Sequence, residues 1–176
     1  MRAVAAGLAA RGIATLRYQF PYMERRARRP DPPALCHATV RAAVAECARR
    51  TSLPLIAGGR SFGGRMTSQA QEPLPGVRGL AFLGFPLHPA GRPSDERAEH
   101  LAHVQIPLLF LQGTRDALAE RGLLEALLAR LGARASVSWL EDADHSFHVP
   151  ARSGRNDAQV REALLDSLSG WLERLL

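Results

Sequence analysis

Short apolar runs alternate with longer amphipathic stretches along the chain, and this alternation predicts strands that alternate with helices. The runs are apolar at nearly every position, which is typical of strands buried on both faces. We therefore expect the α/β class, with a mostly parallel, doubly wound sheet that carries helices on both faces. The predicted strands are residues 13–20, 53–58, 77–85, 106–111 and 135–140.

Helical periodicity occupies most of the intervals between these runs. The predicted helices are residues 1–10, 34–50, a short helix that opens at Gly64, 120–131, and a C-terminal helix that buries Val160, Leu164, Leu168, Trp171 and Leu175. Asn156 and Gln159 have the spacing of a capping box at the start of that last helix. Residues 71–76 are predicted as a turn-rich connection, and residues 86–103 are the only candidate for a lid. Such a short lid is typical of a shallow site for a small substrate.

The composition fits one globular domain over residues 1–176, because 46% of the residues are hydrophobic and 23% are charged. The net charge is +6, but all 23 basic residues are arginine, a bias typical of GC-rich bacterial genomes that weakens the charge as a sign of nucleic-acid binding. The cluster Arg25, Arg26, Arg28 and Arg29 could contact phosphates. Without a recognition motif or an aromatic platform beyond Tyr22, a solvated loop is favoured, and we expect no nucleic-acid partner.

The two cysteines, Cys36 and Cys47, indicate a reducing compartment. They lie on one predicted helix, about 16 Å apart along its axis, which is too far for a disulfide. Cysteines and histidines at ligand spacing are too few for a structural zinc site, so we expect no metal. No run is long enough to span a membrane, and the N-terminal Ala/Gly run is too weakly apolar for a signal peptide if Met1 is the true start. We expect a cytoplasmic protein.

Residues 59–63, Gly-Arg-Ser-Phe-Gly, carry the clearest candidate chemistry. They follow an apolar run and open a helix, which is the strand, sharp turn and helix of a nucleophile elbow. Glycines two residues either side of the serine would let strand and helix approach closely. Ser61 is then the candidate nucleophile, and the backbone amide of Phe62 is a candidate oxyanion donor. The alternative is a glycine-rich turn whose serine only caps the helix.

A nucleophilic serine needs a histidine as base and a carboxylate to orient that histidine. Asp116 and His145 follow the predicted strands 106–111 and 135–140, so both lie beyond the carboxyl ends of strands, where ligands of such sheets bind. The alternatives are His148 as the base, and Asp142 or Asp144 as the acid.

Three further residues are candidates for a substrate pocket. Arg60 and Arg65 bracket the nucleophile and could attract an anionic acyl group, although two solvated arginines are the favoured alternative. His88 follows a strand end and could line the site, although a supporting or solvent-facing histidine is favoured.

With these residues in place, the chain resembles the small α/β-hydrolases of the dienelactone-hydrolase-like type. Among them it is most similar to the branch of a testis-expressed α/β-hydrolase-like protein and a subunit of the non-specific lethal chromatin complex. The resemblance implies an α/β-hydrolase fold and a triad of Ser61, Asp116 and His145, and it fixes no substrate. The stretches that carry it are residues 11–22, 58–66, 82–89, 111–116 and 144–147.

In one respect the chain departs from that family. The chain starts inside the helix that would follow the loop with the second oxyanion amide, so we expect an N-terminal truncation. Loss of one donor commonly costs about a hundred- to a thousandfold in rate. The missing strand would lie between residues 13–20 and 53–58, which must therefore either pair directly or leave a gap in the sheet.

These observations predict a serine hydrolase that cleaves a small carboxylic ester, lactone or thioester through an acyl-enzyme on Ser61, without a cofactor. The alternatives are a non-catalytic α/β-hydrolase-like interaction module and a nucleic-acid binder that uses the arginine loop. The oligomeric state is left open.

Overall fold

The centre of the molecule is a parallel sheet. The computed structural model describes residues 1–70 and 74–176, and within them four strands pair in the order β1-β2-β3-β4, all parallel. The strands are Leu55–Arg60 (β1), Val77–Leu83 (β2), Leu108–Gly113 (β3) and Ala135–Leu140 (β4). Because all four run in one direction, their carboxyl ends meet at one edge of the sheet.

Helices connect the strands and cover both faces. Within the same residues the α-helices are Arg2–Ala9 (α1), Pro21–Glu24 (α2), Pro33–Arg50 (α3), Phe62–Gln69 (α4), Arg121–Leu131 (α5) and Asp157–Leu175 (α6). Three 3₁₀ helices, Glu96–His103, Gly132–Arg134 and Ala151–Ser153, complete the regular structure there. The predicted capping box is present at α6, where Asn156 and Gln159 exchange side-chain-to-backbone hydrogen bonds. Both cysteines lie on α3 as free thiols.

Two apolar clusters lie on opposite faces of the sheet. On one face, Leu109 and Leu111 of β3 pack with α6, whose Trp171 is buried, and with Leu8 of α1. On the other face, Phe110 of β3 packs with residues of β2 and α5. Alternate residues of β3 therefore serve opposite clusters, as a strand buried on both faces requires. The predicted α/β class, a parallel sheet with helices on both faces, is confirmed.

The strand predicted at residues 13–20 is wrong, because the structure assigns no strand there. Residues 14–19 make no backbone hydrogen bond with β1 or with any other described residue. Apolar side chains alone do not make a strand without a partner for the backbone. Of the two arrangements expected for this part of the sheet, direct pairing with β1 is excluded.

Small shifts separate the other predictions from the structure. β1 and β3 extend two residues further than predicted, to Arg60 and Gly113, and β2 ends at Leu83. The connection predicted at 71–76 lies partly outside the described residues. The candidate lid contains the 3₁₀ helix Glu96–His103, which packs on α4 and buries Leu101. No helix in the described part of the chain combines the length and the apolar character that a membrane span needs.

Candidate active site

Ser61 lies in the turn between β1 and α4, in a backbone conformation that few residues adopt. Its φ and ψ are 51° and −121°, a strained combination for a residue with a side chain. The Ser61 N–H donates to the carbonyl of Leu83 at 3.1 Å, which attaches the turn to the end of β2. The hydroxyl is thereby presented at the carboxyl edge of the sheet.

The close approach of strand and helix at this turn depends on Gly59 and Gly64. A Cβ atom added to Gly64 would lie 2.6 Å from the carbonyl oxygen of Gly59, and one added to Gly59 would lie 3.1 Å from the Gly64 nitrogen. A Cβ added to Gly63 would meet only a ring carbon of Phe20, at 4.0 Å. The steric role expected of Gly63 in the Gly-x-Ser-x-Gly pattern therefore belongs to Gly64.

Ser61, His145 and Asp116 form one hydrogen-bonded chain. His145 Nδ1 lies 2.7 Å from Asp116 Oδ2, and His145 Nε2 lies 2.7 Å from Ser61 Oγ. Because an ionised carboxylate can only accept, Nδ1–H donates to Asp116 and Nε2 accepts from the serine hydroxyl. Asp116 has no exposed side-chain surface, whereas the side chain of His145 is 21% exposed. The three predicted side chains are together, with the imidazole facing the open side.

Asp116 is held by two further donors, neither of which was predicted from the sequence. The Leu118 N–H donates to Asp116 Oδ1 at 2.8 Å, and Gln112 Nε2 donates to Oδ2 at 2.5 Å. Gln112 is itself fixed, because its Oε1 accepts from the Phe85 N–H at 2.9 Å. The available signal was a glutamine at the end of an apolar strand, because a fully buried amide requires partners.

The side chain of Asp144 holds the loop that carries His145. Asp144 Oδ1 accepts from the N–H groups of Ser146, at 2.7 Å, and His148, at 3.0 Å, so Asp144 stabilises the loop instead of replacing Asp116. His148 faces away and pairs with Asp157 at 2.9 Å, which raises the pKa of His148 and lowers that of Asp157.

Phe62 opens α4, and its amide is one of the first helical N–H groups, which have no partner inside the helix. Its ring packs edge-on against Phe20 and Tyr22, with centroids 5.7 Å and 6.2 Å away. The rings of Phe20, Tyr22 and Phe62 therefore form an aromatic cluster, and Phe62 directly follows Ser61 in the chain.

The two arginines near the nucleophile differ in their surroundings. Arg60 is exposed, and its guanidinium donates to Ser146 Oγ at 3.0 Å, which links the nucleophile turn to the loop of His145. Arg65 is half-buried, with its guanidinium 5.6 Å from the centroid of the Phe62 ring. Arg60 is therefore exposed, as the favoured alternative of a solvated arginine describes, whereas Arg65 is not.

His88 does not line the site, which corrects the expectation that it contributes to a substrate pocket. It is 1% exposed, its Nδ1–H donates to the carbonyl of Pro89 at 2.9 Å, and its Nε2 accepts from the Glu120 N–H at 3.3 Å. With both ring nitrogens engaged by backbone, His88 joins the loop after β2 to the start of α5. Across residues 1–70 and 74–176, no group of three or more His, Cys, Asp or Glu side chains could hold a metal ion.

Comparisons with known proteins agree with this architecture. Residues 1–173 match a protein-family model described as an alpha/beta hydrolase domain. The esterase domain of a Rhodothermus marinus protein superposes with a TM-score of 0.72 at 19% identity, over 98% of this chain and 78% of that one. A Xanthomonas campestris α/β serine hydrolase without a lid gives 0.70 at 24% identity, over 96% and 71%. A protein predicted to be a dienelactone hydrolase, from Klebsiella pneumoniae, gives 0.59 at 18% identity, over 87% and 67%. At these identities the likeness to the solved structures shows the fold alone.

Proposed function

Because this chain belongs to the alpha/beta hydrolase domain family, we propose that it is a serine hydrolase that cleaves a small carboxylic ester, lactone or thioester. The observation that carries the proposal is the unbroken chain of short hydrogen bonds from Ser61 through His145 to Asp116. A further support is the strained backbone of Ser61, because strain of this kind is kept where it presents a reacting group.

In the proposed reaction, Ser61 Oγ attacks the substrate carbonyl while His145 Nε2 takes the hydroxyl proton. Asp116 accepts from His145 Nδ1–H and stabilises the imidazolium that forms. The negative charge that develops on the carbonyl oxygen is placed beside the Phe62 N–H. His145 then gives its proton to the leaving group, which departs and leaves an ester on Ser61. Water, deprotonated by His145, attacks that ester and releases the acid.

Gln112 and Leu118 support this mechanism without contact with the substrate. Their bonds to the two oxygens of Asp116 fix the rotation of the carboxylate, so that Oδ2 points at His145. A fixed carboxylate holds the imidazole in the one tautomer that can accept the serine proton.

The surroundings favour a small substrate and a reducing compartment. The 3₁₀ helix Glu96–His103, in the segment after β2, packs on α4, where His100 Nε2 lies 2.8 Å from Ser68 Oγ, and part of the His145 side chain is exposed. Cys36 and Cys47, both free, support the proposal of a cytoplasmic location.

Labelling with a fluorophosphonate probe tests the proposal, because such a probe reacts only with an activated serine. We expect the wild type to be labelled and Ser61→Ala to be unlabelled. Ser136→Ala, which removes an exposed serine of β4 far from the carboxyl edge, is the matched control and keeps the wild-type labelling. A wild type that is folded but unreactive toward the probe and toward short esters would replace the hydrolase with a non-catalytic interaction module.

A further inference from the structure

Arg65, on the second turn of α4, is a partly buried cation that has no counter-ion among residues 1–70 and 74–176. Its Nε is shielded from solvent and has no hydrogen-bond partner, and its side chain makes no ion pair with any residue of 1–70 or 74–176. A buried donor that lacks a partner costs free energy, and a partly desolvated charge costs more. A bound anion would remove that cost.

Arg97 adds a second positive charge near Arg65, and the two histidines beside them, whose pKa values are lowered, supply no negative charge to balance it. Burial and the nearby Arg97, on the 3₁₀ helix Glu96–His103, lower the pKa of Arg65. Burial, then Arg65 and His37, lower the pKa of His100 on the same 3₁₀ helix to about 4. The Nε2 atom of His37 on α3 is also buried without a partner. Arg97, like Arg65, makes no ion pair within the described part of the chain.

The guanidinium of Arg65 lies over the ring of Phe62, the residue that follows Ser61. Side chains of a helix lean toward its N-terminus, and Arg65 follows this rule, because its guanidinium stands over the ring of Phe62, three residues earlier. The Arg65 N–H donates to the Ser61 carbonyl at 3.1 Å, so the two residues are one helical turn apart. The two backbones are thus about 5.4 Å apart along the helix axis, which is comparable to the length of a chain of roughly four carbon–carbon bonds.

We propose that Arg65, assisted by the charge of Arg97, binds a carboxylate at the far end of the acyl chain, so that the substrates are half-esters or half-thioesters of short dicarboxylic acids. The planar guanidinium can donate two parallel hydrogen bonds to such a carboxylate. The ester carbonyl at the other end of the chain then reaches Ser61. This inference rests on the proposed hydrolase function and gives it a substrate class.

The test compares two esters that differ only at the end of the acyl chain. Mono-4-nitrophenyl glutarate carries the carboxylate, and 4-nitrophenyl pentanoate has a methyl group in its place. The quantity measured is the ratio of their kcat/KM values, which cancels effects on the shared chemistry. We expect Arg65→Met to lower this ratio about 10- to 100-fold, the usual contribution of a hydrogen bond to a charged group, and Arg97→Met to lower it less.

The matched control is Arg78→Met, which removes the same charge from an exposed position at the opposite end of the sheet, where β2 begins. It should keep the wild-type ratio in a buffer free of phosphate and sulfate. If the ratio of kcat/KM values for the two esters is the same in Arg65→Met as in Arg78→Met, the carboxylate site is refuted. Cleavage of the pentanoate by the wild type but not by Ser61→Ala would still support the hydrolase proposal in that case.

A second measurement does not require turnover. Glutarate binding to Ser61→Ala, measured by calorimetry, should be lost in Ser61→Ala/Arg65→Met. If no ester is cleaved, the hydrolase proposal fails by itself, and this titration still decides the anion site. Absence of glutarate binding to Ser61→Ala refutes the site.

Discussion

Two neighbouring glycines of α4 should respond in opposite ways to the same substitution. Gly63 and Gly64 each gain one methyl group on mutation to alanine, and both gain the higher helix propensity of alanine, so these effects cancel when the two variants are compared. What differs is the space. The new Cβ at 64 would lie 2.6 Å from the carbonyl oxygen of Gly59, whereas real Cβ atoms essentially never come within 3.0 Å of another atom.

The clash at Gly64 cannot be relieved by a side-chain rotation, because the atom it meets belongs to the backbone of β1. Helix and strand must separate by about 0.4 Å or more, which costs roughly 1 to 3 kcal/mol in a packed interior. Gly63→Ala meets a ring carbon of Phe20 at the ordinary distance of 4.0 Å and should be neutral or slightly stabilising.

Urea unfolding of the two variants measures this difference. With a denaturant dependence of about 2 kcal/mol per molar, the midpoint of Gly64→Ala should lie about 1 M below that of Gly63→Ala. The displaced turn should also move Ser61 Oγ away from His145, so Gly64→Ala should react more slowly with the fluorophosphonate probe. Equal midpoints for the two variants, or a lower midpoint for Gly63→Ala, would refute the packing argument.

Two further predictions concern buried polar groups. Gln112→Leu removes the donor at 2.5 Å from Asp116 Oδ2 and leaves the Phe85 N–H unpaired, so kcat for a short ester should fall about tenfold or more. An unchanged kcat would mean that the Leu118 N–H alone positions the carboxylate. Folding lowers the pKa of His100 from 6.5 to about 4, through burial and then through Arg65 and His37. Between these pH values the unfolded chain binds more protons than the folded one, so the free energy of unfolding falls as the pH drops from 6.5 to 4. Because part of the His100 ring reaches solvent, we expect it to contribute about 1 to 2 kcal/mol to this fall. Urea titrations at pH 7 and pH 4.5 should therefore show a loss of unfolding free energy that is smaller by this amount in His100→Asn than in the wild type. An equal loss in both proteins would contradict the contribution of His100.

The sequence predicted the elements whose apolar pattern is complete in itself. β2, β3 and β4 are buried runs bounded by glycine or polar residues, and their paired order follows from parallel strands joined by helices. Residues 13–20 have the same kind of pattern but no strand, because pairing depends on a neighbouring backbone that a local pattern does not report.

Site residues were predictable where a motif specifies the chemistry, and less so where packing decides. The order of Ser61, Asp116 and His145 after successive strand ends was sufficient to select the three residues that the structure brings together. The burial of His88 could not be read from the chain, because one of its partners is the backbone N–H of Glu120, 32 residues away, which only the folded loops bring near. Gln112 was overlooked although Asp116 is only four residues away, because its other partner, the Phe85 N–H, is distant in the sequence.

The backbone bonds between the loops after β3 and β4 hold Asp116 and His145 on a common support. Thr114 N–H donates to Leu140 O, and Arg115 N–H donates to Ala143 O, whereas the His145 loop reaches the turn of Ser61 through the side-chain bonds to His145 and Arg60. A fluctuation that separates the turn of Ser61 from these two loops would therefore stretch the Ser61–His145 hydrogen bond first and leave the His145–Asp116 hydrogen bond intact. In the proposed mechanism, His145 would then keep its bond to Asp116, and with it the tautomer that accepts the serine proton, whenever Ser61 moves away.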